Sequence, residues 1–367
     1  MAQQNFCIVK YFNFIVSIIL ILLYAAGKVP PSEKYNLWLT PFIIPFALIA
    51  NFILLFVSAA MRKKSTVYYI IALVIGSNYL FATIGIKHLF HRTDVSLDTF
   101  SVLSYNVNAG LNFAEISEGD TSAISLSEWI MDQEADIQCY QEFIDTRRRT
   151  GFDVINLLKS KGYQSYFSFD SISNANRYGR IVGTLIFSRY PILKSGDVLA
   201  SENGFNRISF ADLLIKTDTV RVINVHLESM GLKPFHPANA DGFESRKENT
   251  RILLSKLKEG VFERSEQIKV LAAFVGTSPH PVVCVGDFNE LPYSYSYQFL
   301  KTRMKNTFEQ VGKGFGFTYN GNTLRILRID NQFYSSGLRP VQFITRKEVE
   351  LTDHFPLLGV YRLNPER

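Results

Sequence analysis

Cysteine is scarce in this 367-residue chain: three residues, at positions 7, 139 and 284. They are too few and too scattered for a disulfide framework or a cysteine-based zinc site. Cys139 and Cys284 lie inside apolar, strand-like runs, where a small buried hydrophobe is the expected role. Charge is sparse as well, 20% of residues against 47% hydrophobic, which excludes a disordered chain. The length is enough for two domains. Acidic residues are nearly missing from the first quarter: residues 1–92 hold 8 Lys/Arg and a single acid, Glu33, whereas residues 93–367 hold 31 Lys/Arg against 32 Asp/Glu. The net charge of +6 therefore belongs to the N-terminal quarter. The remainder lacks the basic excess of a duplex-binding domain, so nucleic acid is not favoured as a partner. Internal repeats and low-complexity segments are also missing.

The basic quarter contains three stretches without any charged residue, 11–27, 37–60 and 65–86, of 17, 24 and 22 residues. Each is near or above the ~20 residues that cross a hydrocarbon core, so three transmembrane helices are expected. A signal peptide is the alternative for the first, and a buried soluble bundle the alternative for all three. Pro41 and Pro45 would break a soluble helix early but are tolerated in a membrane span. Trp38 and Tyr68 suit the interfacial belts. Lys10, Arg62, Lys63 and Lys64 on one side balance Lys28, Lys34, Lys87 and Arg92 on the other, so orientation depends on clustering. The Arg62-Lys63-Lys64 turn is the densest cluster and should be cytoplasmic. The expected arrangement is an integral protein of the inner or plasma membrane, with residues 1–92 as anchor and residues 93–367 as a periplasmic catalytic domain.

From residue 99 onward, short β-rich runs alternate with amphipathic segments of helical length, an α/β layout. Strands are expected at 99–105, 137–140, 163–169, 184–187, 208–215, 220–225, 282–285, 326–333 and 355–361, and helices at 126–133, 154–161, 246–275 and 293–303. The loops 171–180 and 231–242 suit the variable rim of a site. Almost every strand ends in a side chain able to hold a hard metal or work on a phosphate: Asn106 and Asn108, Gln141 and Glu142, His226, Asp287 and Asn289, Asp330, and Asp353 with His354. Strand ends converge in a sheet-based fold, so residues some 250 positions apart can form one cluster. Oxygen donors without cysteine suit Mg²⁺ or Mn²⁺.

The strings LSYNVN (103–108), YQE (140–142), GTLIFSRYPI (183–192), NVHLES (224–229), VGDFNELPYSYSY (285–297), LRID (327–330) and TDHFPL (352–357) resemble, in order, the motifs of the endonuclease/exonuclease/phosphatase superfamily. The resemblance covers about residues 99–363. It implies a four-layer α/β sandwich of two packed, mostly antiparallel sheets and divalent-metal-dependent hydrolysis of a phosphoester. It also implies roles. Glu142 would bind the metal directly, with Asn106 beside it and Asp353 contacting the metal or its water. Asn108 stands where many members carry an acidic ligand, a departure that lowers the negative charge. Asp287 and Asn289 would orient the attacking water or protonate the leaving group, and hold a phosphate oxygen. His354 would touch the scissile phosphate, supported by Asp330, and His226 would assist there. Asn331 departs from the tyrosine that usually follows Arg-Ile-Asp and leaves the support of Asp330 open. Arg189 and Arg264 are expected to be structural.

The expectation is a membrane-anchored phosphoesterase that acts on a phosphodiester or phosphomonoester, with a lipid headgroup among the candidate substrates. The alternatives are a DNase-like nuclease of the same fold, for which Arg147, Arg148 and Arg149 form one local basic cluster, and a catalytically silent membrane binding module. No protein partner can be inferred.

Overall fold

The computed structural model describes residues 2–32, 34–86, 98–108, 122–144, 153–169, 182–200, 206–229, 243–321 and 326–364. The expected rim loops 171–180 and 231–242, the Arg147–Arg149 cluster and the boundary at 92/93 lie outside these residues. The N-terminal quarter forms α1 (Ala2–Ala26), α2 (Thr40–Ala60), α3 (Thr66–Ile75) and α4 (Ser77–Thr83). The expectation of three spans is corrected here. Among the described residues, one helix, Asn36–Ala60 including the 3₁₀ turn before α2, is long and apolar enough to cross a membrane. In the first helix, the apolar stretch among the described residues is the shorter Tyr11–Ala26. The third stretch is broken by a 65° bend between α3 and α4. The break falls at Gly76, where the face of Tyr24 packs so closely that a Cβ would lie 2.6 Å from its ring. Pro45 is accommodated inside α2, as expected.

The remainder is built from β1 (Ile84–Gly85), β2 (Thr99–Asn106), α5 (Ser122–Met131), β3 (Ile137–Ile144), α6 (Val154–Ser160), β4 (Gln164–Phe169), β5 (Val182–Ser188), β6 (Ile192–Ala200), β7 (Arg207–Ile215), β8 (Asp218–His226) and α7 (Phe243–Gly276). It continues with β9 (Val282–Asp287), α8 (Tyr295–Leu300), β10 (Lys305–Asn306), α9 (Thr307–Val311), β11 (Gly314–Phe315), β12 (Asp330–Tyr334), β13 (Leu338–Thr345) and β14 (Leu357–Leu363). Two six-stranded sheets result, ordered β13-β14-β2-β3-β5-β4 and β10-β12-β9-β8-β7-β6. In each sheet one central pair is parallel, β2 with β3 and β8 with β9, and every other pairing is antiparallel.

Three cores make four layers. Between the sheets lie Val102, Cys139, Ile186, Leu213, Val222, Val283 and Val285, fully buried. Outside the first sheet, Leu126 and Ile130 of α5 and Val154 and Leu158 of α6 cover Tyr105, Tyr140 and Phe187. Outside the second, Ile268, Leu271 and Ala272 of α7 cover Ile223, Val225 and Cys284. The central strands carry near-continuous apolar runs because both of their faces are covered. The α/β sandwich is thus confirmed, and both cysteines are buried as small hydrophobes.

The edge strands β6 and β13 escaped the sequence pattern for a physical reason. β6 alternates poorly, with most side chains partly or fully exposed, and β13 carries Pro340 beside a register shift. Proline and bulges are tolerated at sheet edges. The helices at the N-terminus do not stand apart from this body. Leu20, Tyr24, Trp38, Ile44 and Tyr79 share a buried cluster with Leu257, Val261, Leu291, Tyr293 and Ile329, and Ala82 joins the core outside the second sheet. β1 pairs with β11, and Thr83 Oγ1 and the Tyr293 hydroxyl lie 2.8 Å apart.

Gly183 in β5 lies so close to β4 that a Cβ would stand 1.9 Å from the Ser168 carbonyl oxygen. Gly183→Ala should therefore cost about 2 kcal/mol through forced separation of the two strands. The check is a fall of about 4 °C in the thermal midpoint of the purified chain.

Candidate active site

Strand register assembles the site. β9 lies between β8 and β12, and Asp287 at its end pairs with His226 on one side and Asp330 on the other. In the facing sheet, Asn106 at the end of β2 pairs with Gln141. The next residue, Glu142, has φ of +51° and sits in a register shift between Tyr140 and Phe143. A glutamate in the left-handed region is uncommon, and such strain persists only where surrounding structure enforces it. Here the bulge re-aims the Glu142 carboxylate out of the strand alternation and towards the second sheet. Asn108 and Asn289 are also left-handed, with φ of +45° and +49°. Gly286, at φ +136°, brings β9 so close to β8 that a Cβ would stand 2.0 Å from the Val225 carbonyl oxygen. Only glycine fits directly before Asp287.

The side chains meet across the two sheets. Asn106 Nδ2 donates to Glu142 Oε1 at 3.3 Å and to Asp287 Oδ2 at 3.0 Å, while its Oδ1 accepts the Asn108 amide at 2.9 Å. The Asn289 amide donates to Asp287 Oδ1 at 2.8 Å, and Asn289 Nδ2 to the Leu227 carbonyl at 3.1 Å. His226 Nε2 lies 3.4 Å from Glu142 Oε1 and 4.0 Å from Asp287 Oδ2. His354 Nδ1 is bonded to Asp330 Oδ2 at 2.9 Å, and its Nε2 lies 3.7 Å from Asp287 Oδ2 and 3.9 Å from Asp353 Oδ1. Ligand atoms of Asp287, Asp330 and His354 lie within 4.8 Å of one another. Seven of the nine residues picked from the sequence are thus linked through their side chains, and Asn108 and Asn289 join through their backbone amides.

The charges explain the protonation. Burial opposes charge on His354, but the carboxylates of Asp330 and Asp287 prevail and raise its pKa to about 10. Asp287 is raised by burial and then by the charge of Asp330, and Asp353 by burial. Burial also works against the charged form of Glu142, yet the hydrogen bond and charge of His226 hold its pKa below the usual value. Four carboxylates face two imidazoles, so a net negative charge of two remains even with both rings protonated. Asp353 Oδ1 is buried and has no hydrogen-bond partner. A buried orphan oxygen beside uncompensated carboxylates fits a hard divalent cation.

Several supporting residues had not been singled out. Thr318 Oγ1 accepts the backbone amides of Ile329 and Asp330, both at 3.0 Å. Thr352 Oγ1 donates to the Asn106 carbonyl at 3.0 Å and accepts the His354 amide at 3.1 Å. Tyr319 sets its ring against His354 edge to face, 5.1 Å away. Asn224 accepts from Gln141 Nε2 at 2.6 Å and ties the two sheets together beneath the site. Asn224 and Thr352 lay inside motifs already noted, whereas Thr318 and Tyr319 carried no sequence signal. Asn331 points away from Asp330 by strand alternation and accepts from Arg328 Nη2 at 2.7 Å, so the support of Asp330 comes from Thr318 instead. Arg189 and Arg264 are structural, bonded to the Tyr163 hydroxyl and to Glu290 with the Glu228 carbonyl.

Residues 103–354 match the family described as Endonuclease/Exonuclease/phosphatase family. Solved structures share the fold. The human Nocturnin catalytic domain with bound sulfate anion is 17% identical, covering 73% of this chain and 95% of that one, with a TM-score of 0.50. D. rerio TDP2, humanized by 14 mutations, is 18% identical, covering 72% and 99%, also at 0.50. An endonuclease/exonuclease/phosphatase family protein from Leptotrichia buccalis C-1013-b is 16% identical, covering 71% and 98%, again at 0.50. At these identities the likeness is one of fold. No curated protein matches the chain.

The uncompensated acids give a test that needs no substrate. A divalent cation bound only by the native state stabilises it by mass action, by about 2.7 kcal/mol at a hundredfold excess over Kd. Millimolar Mg²⁺ or Mn²⁺ added to EDTA-treated protein should raise the thermal midpoint by about 5 °C. Glu142→Gln should remove most of that rise, and an unchanged midpoint in both proteins would refute the assignment.

Proposed function

The chain belongs to the Endonuclease/Exonuclease/phosphatase family and is a metal-dependent hydrolase of phosphoester bonds, and on that premise we propose that it is a membrane-anchored phosphodiesterase using Mg²⁺ or Mn²⁺. The observation that carries the reading is the convergence of Glu142, Asp353, Asp287 and the Asp330–His354 pair around one buried, net-negative point. Glu142 and Asp353 would hold the cation, with Asn106 and Asn108 beside them. When bound, the cation would neutralise charge on the phosphoryl oxygens.

The chain's own groups supply the rest. Asp287, fixed through both oxygens by Asn289 and Asn106, orients a water for in-line attack and accepts its proton as the opposite P–O bond breaks and the leaving oxygen departs to solvent, where it is protonated. Its burial makes it a stronger base than a surface aspartate. His354 remains protonated because Asp330 holds its Nδ1, and it donates from Nε2 to the phosphoryl oxygen as negative charge accumulates. One N–H of the Asn289 amide is given to Leu227, and the other would bind a phosphate oxygen. His226, beside both Glu142 and Asp287, assists at the same phosphate.

Membrane anchoring is supported by where the apolar side chains lie. Phe46 and Phe56 on α2 are 70% and 75% exposed, and Phe12, Leu22 and Val74 are more than half exposed. Apolar faces this continuous are not left to water. The Arg62–Lys64 turn follows the far end of α2, about 30 Å from Thr40 by helical rise. Val29, Pro31, Trp38 and Pro41, at the near end, line a crevice with Val261, Glu290 and Ser294 of the catalytic body. A cytoplasmic basic turn therefore leaves the catalytic body outside the cytoplasm. A phosphoester in the lipid headgroup layer is then the substrate class nearest to hand.

The purified full chain should turn over a generic phosphodiester such as bis(p-nitrophenyl) phosphate with Mg²⁺ or Mn²⁺ and lose that activity in excess EDTA. Asp287→Asn and His354→Ala should each lower kcat by at least ~10²-fold. Near-normal turnover in either variant would refute the roles given. Orientation is checked by reporters fused after Arg367 in a bacterial host: alkaline phosphatase should be active, whereas bright cytoplasmic GFP without phosphatase activity would overturn the topology.

A further inference from the structure

We propose that an apolar and basic patch centred on Phe315 docks into the headgroup layer of the membrane and holds the mouth of the site against it. The inference rests on the membrane anchoring argued above and adds to it a second, separate contact with the bilayer. β11 contains two residues, and one of them, Phe315, pairs with Ile84, the first residue after α4. The chain therefore places Phe315 at the level where the last apolar helix ends. Phe315 is 54% exposed, Ile326 50% and Ile86 38%. The Phe315 and Phe317 rings stack at 5.4 Å, and Gly316, Phe317 and Ile326 line one crevice with Ala82 and Thr83 at the end of α4. Large apolar side chains left exposed together at the end of α4 mark a surface made for something other than water.

The polar residues around the patch name the partner. Lys347 Nζ donates to the Phe315 carbonyl at 3.1 Å and stands 5.8 Å from the centre of the Phe317 ring. Lys313 is exposed two residues before Phe315. On the α1–α2 connection, at the same end of the helices, Lys28 and Lys34 are exposed, and Lys34 lies over the ring of the exposed Tyr35. Aromatic rings flanked by lysines are the chemistry of the interface, where rings sit at headgroup level and ammonium groups meet lipid phosphates.

The patch also connects to the chemistry. Three residues separate Phe315 from Tyr319, whose ring lies against His354, and the four backbone steps between them span no more than about 14 Å. Tyr319 also pairs with Leu327, beside Ile326. A segment that starts in the headgroup layer thus ends against the histidine placed at the phosphate. A docked patch would hold the site next to phosphoesters carried by lipids.

The test uses the full chain in nanodiscs of phosphatidylethanolamine and phosphatidylglycerol, with Cys7→Ser as background because Cys139 and Cys284 are fully buried. Nitroxide labels are attached at Phe315→Cys, at Ile326→Cys on the same patch, at Phe56→Cys on the exposed face of α2, and at Leu193→Cys on the distant edge strand β6. Collision of each label with oxygen and with a water-soluble nickel complex reports depth. Labels at 315 and 326 should favour oxygen severalfold relative to 193, though less than the label at 56. A label at 56 that is buried while those at 315 and 326 match 193 would overturn this inference and leave the anchoring intact. A label at 56 that also matches 193 would overturn the anchoring and the inference together. Turnover of bis(p-nitrophenyl) phosphate by the labelled chains, equal to that of the parent, verifies the fold and separates either failure from failure of the catalytic reading.

Discussion

The placement of β9 between β8 and β12 is the constraint on which the rest of this molecule depends. Its pairing puts Asp287 in one row with His226 and Asp330, and Gly286 permits the close approach that makes the row possible. The row supplies one sheet's half of the site. The other half comes from Asn106 and Glu142, which meet it because the two sheets pack face to face through a core of aliphatic side chains and because Gln141 bonds Asn224 across the gap. A shift of one residue in any of these registers would turn the acids to the opposite face.

Concentrating acids in this way is costly, and the cost shapes the chemistry. Burial raises the pKa of Asp287 and Asp353, while the same negative field keeps His354 protonated. One group becomes a better base and its neighbour a persistent acid, a division of labour suited to moving a proton from water while stabilising a phosphoryl oxygen. The residual negative charge and the orphan Asp353 oxygen suit a divalent cation in the same space. Neither the base nor the acid would have its character in a solvated site.

The N-terminal helices and the sandwich share buried side chains, so the site is held at a fixed place relative to those helices. Arg328 shows the coupling most directly. Fully enclosed, it donates to the Ala82 carbonyl at the end of α4 at 2.6 Å and to Asn306 and Asn331 at 2.7 Å, with the Phe308 ring 4.4 Å away. It precedes Asp330 by two residues. A buried guanidinium is stable only with its donors satisfied, so the helix end and the strand that begins with Asp330 are positioned together.

The sequence by itself determined the α/β alternation, the apolar central strands, the apolar N-terminal stretches and the polar residues at the strand ends, because these are written in periodicity and in local residue types. Seven ordered motifs also carried the family and every member of the cluster. Tertiary structure decided what local pattern cannot carry. The strain at Glu142 arises from a bulge opposite β5, the support of Asp330 comes from Thr318 twelve positions earlier, and Asn331 turns towards Arg328 rather than towards the site. The number of spans was decided there too. Composition sees a charge-free run of 22 residues, but only the packing of Tyr24 against Gly76 shows that the third run is bent through 65°. The edge strands β6 and β13 were hidden because an edge faces solvent and need not alternate, and its pairing is fixed by the neighbour it joins rather than by its own residues.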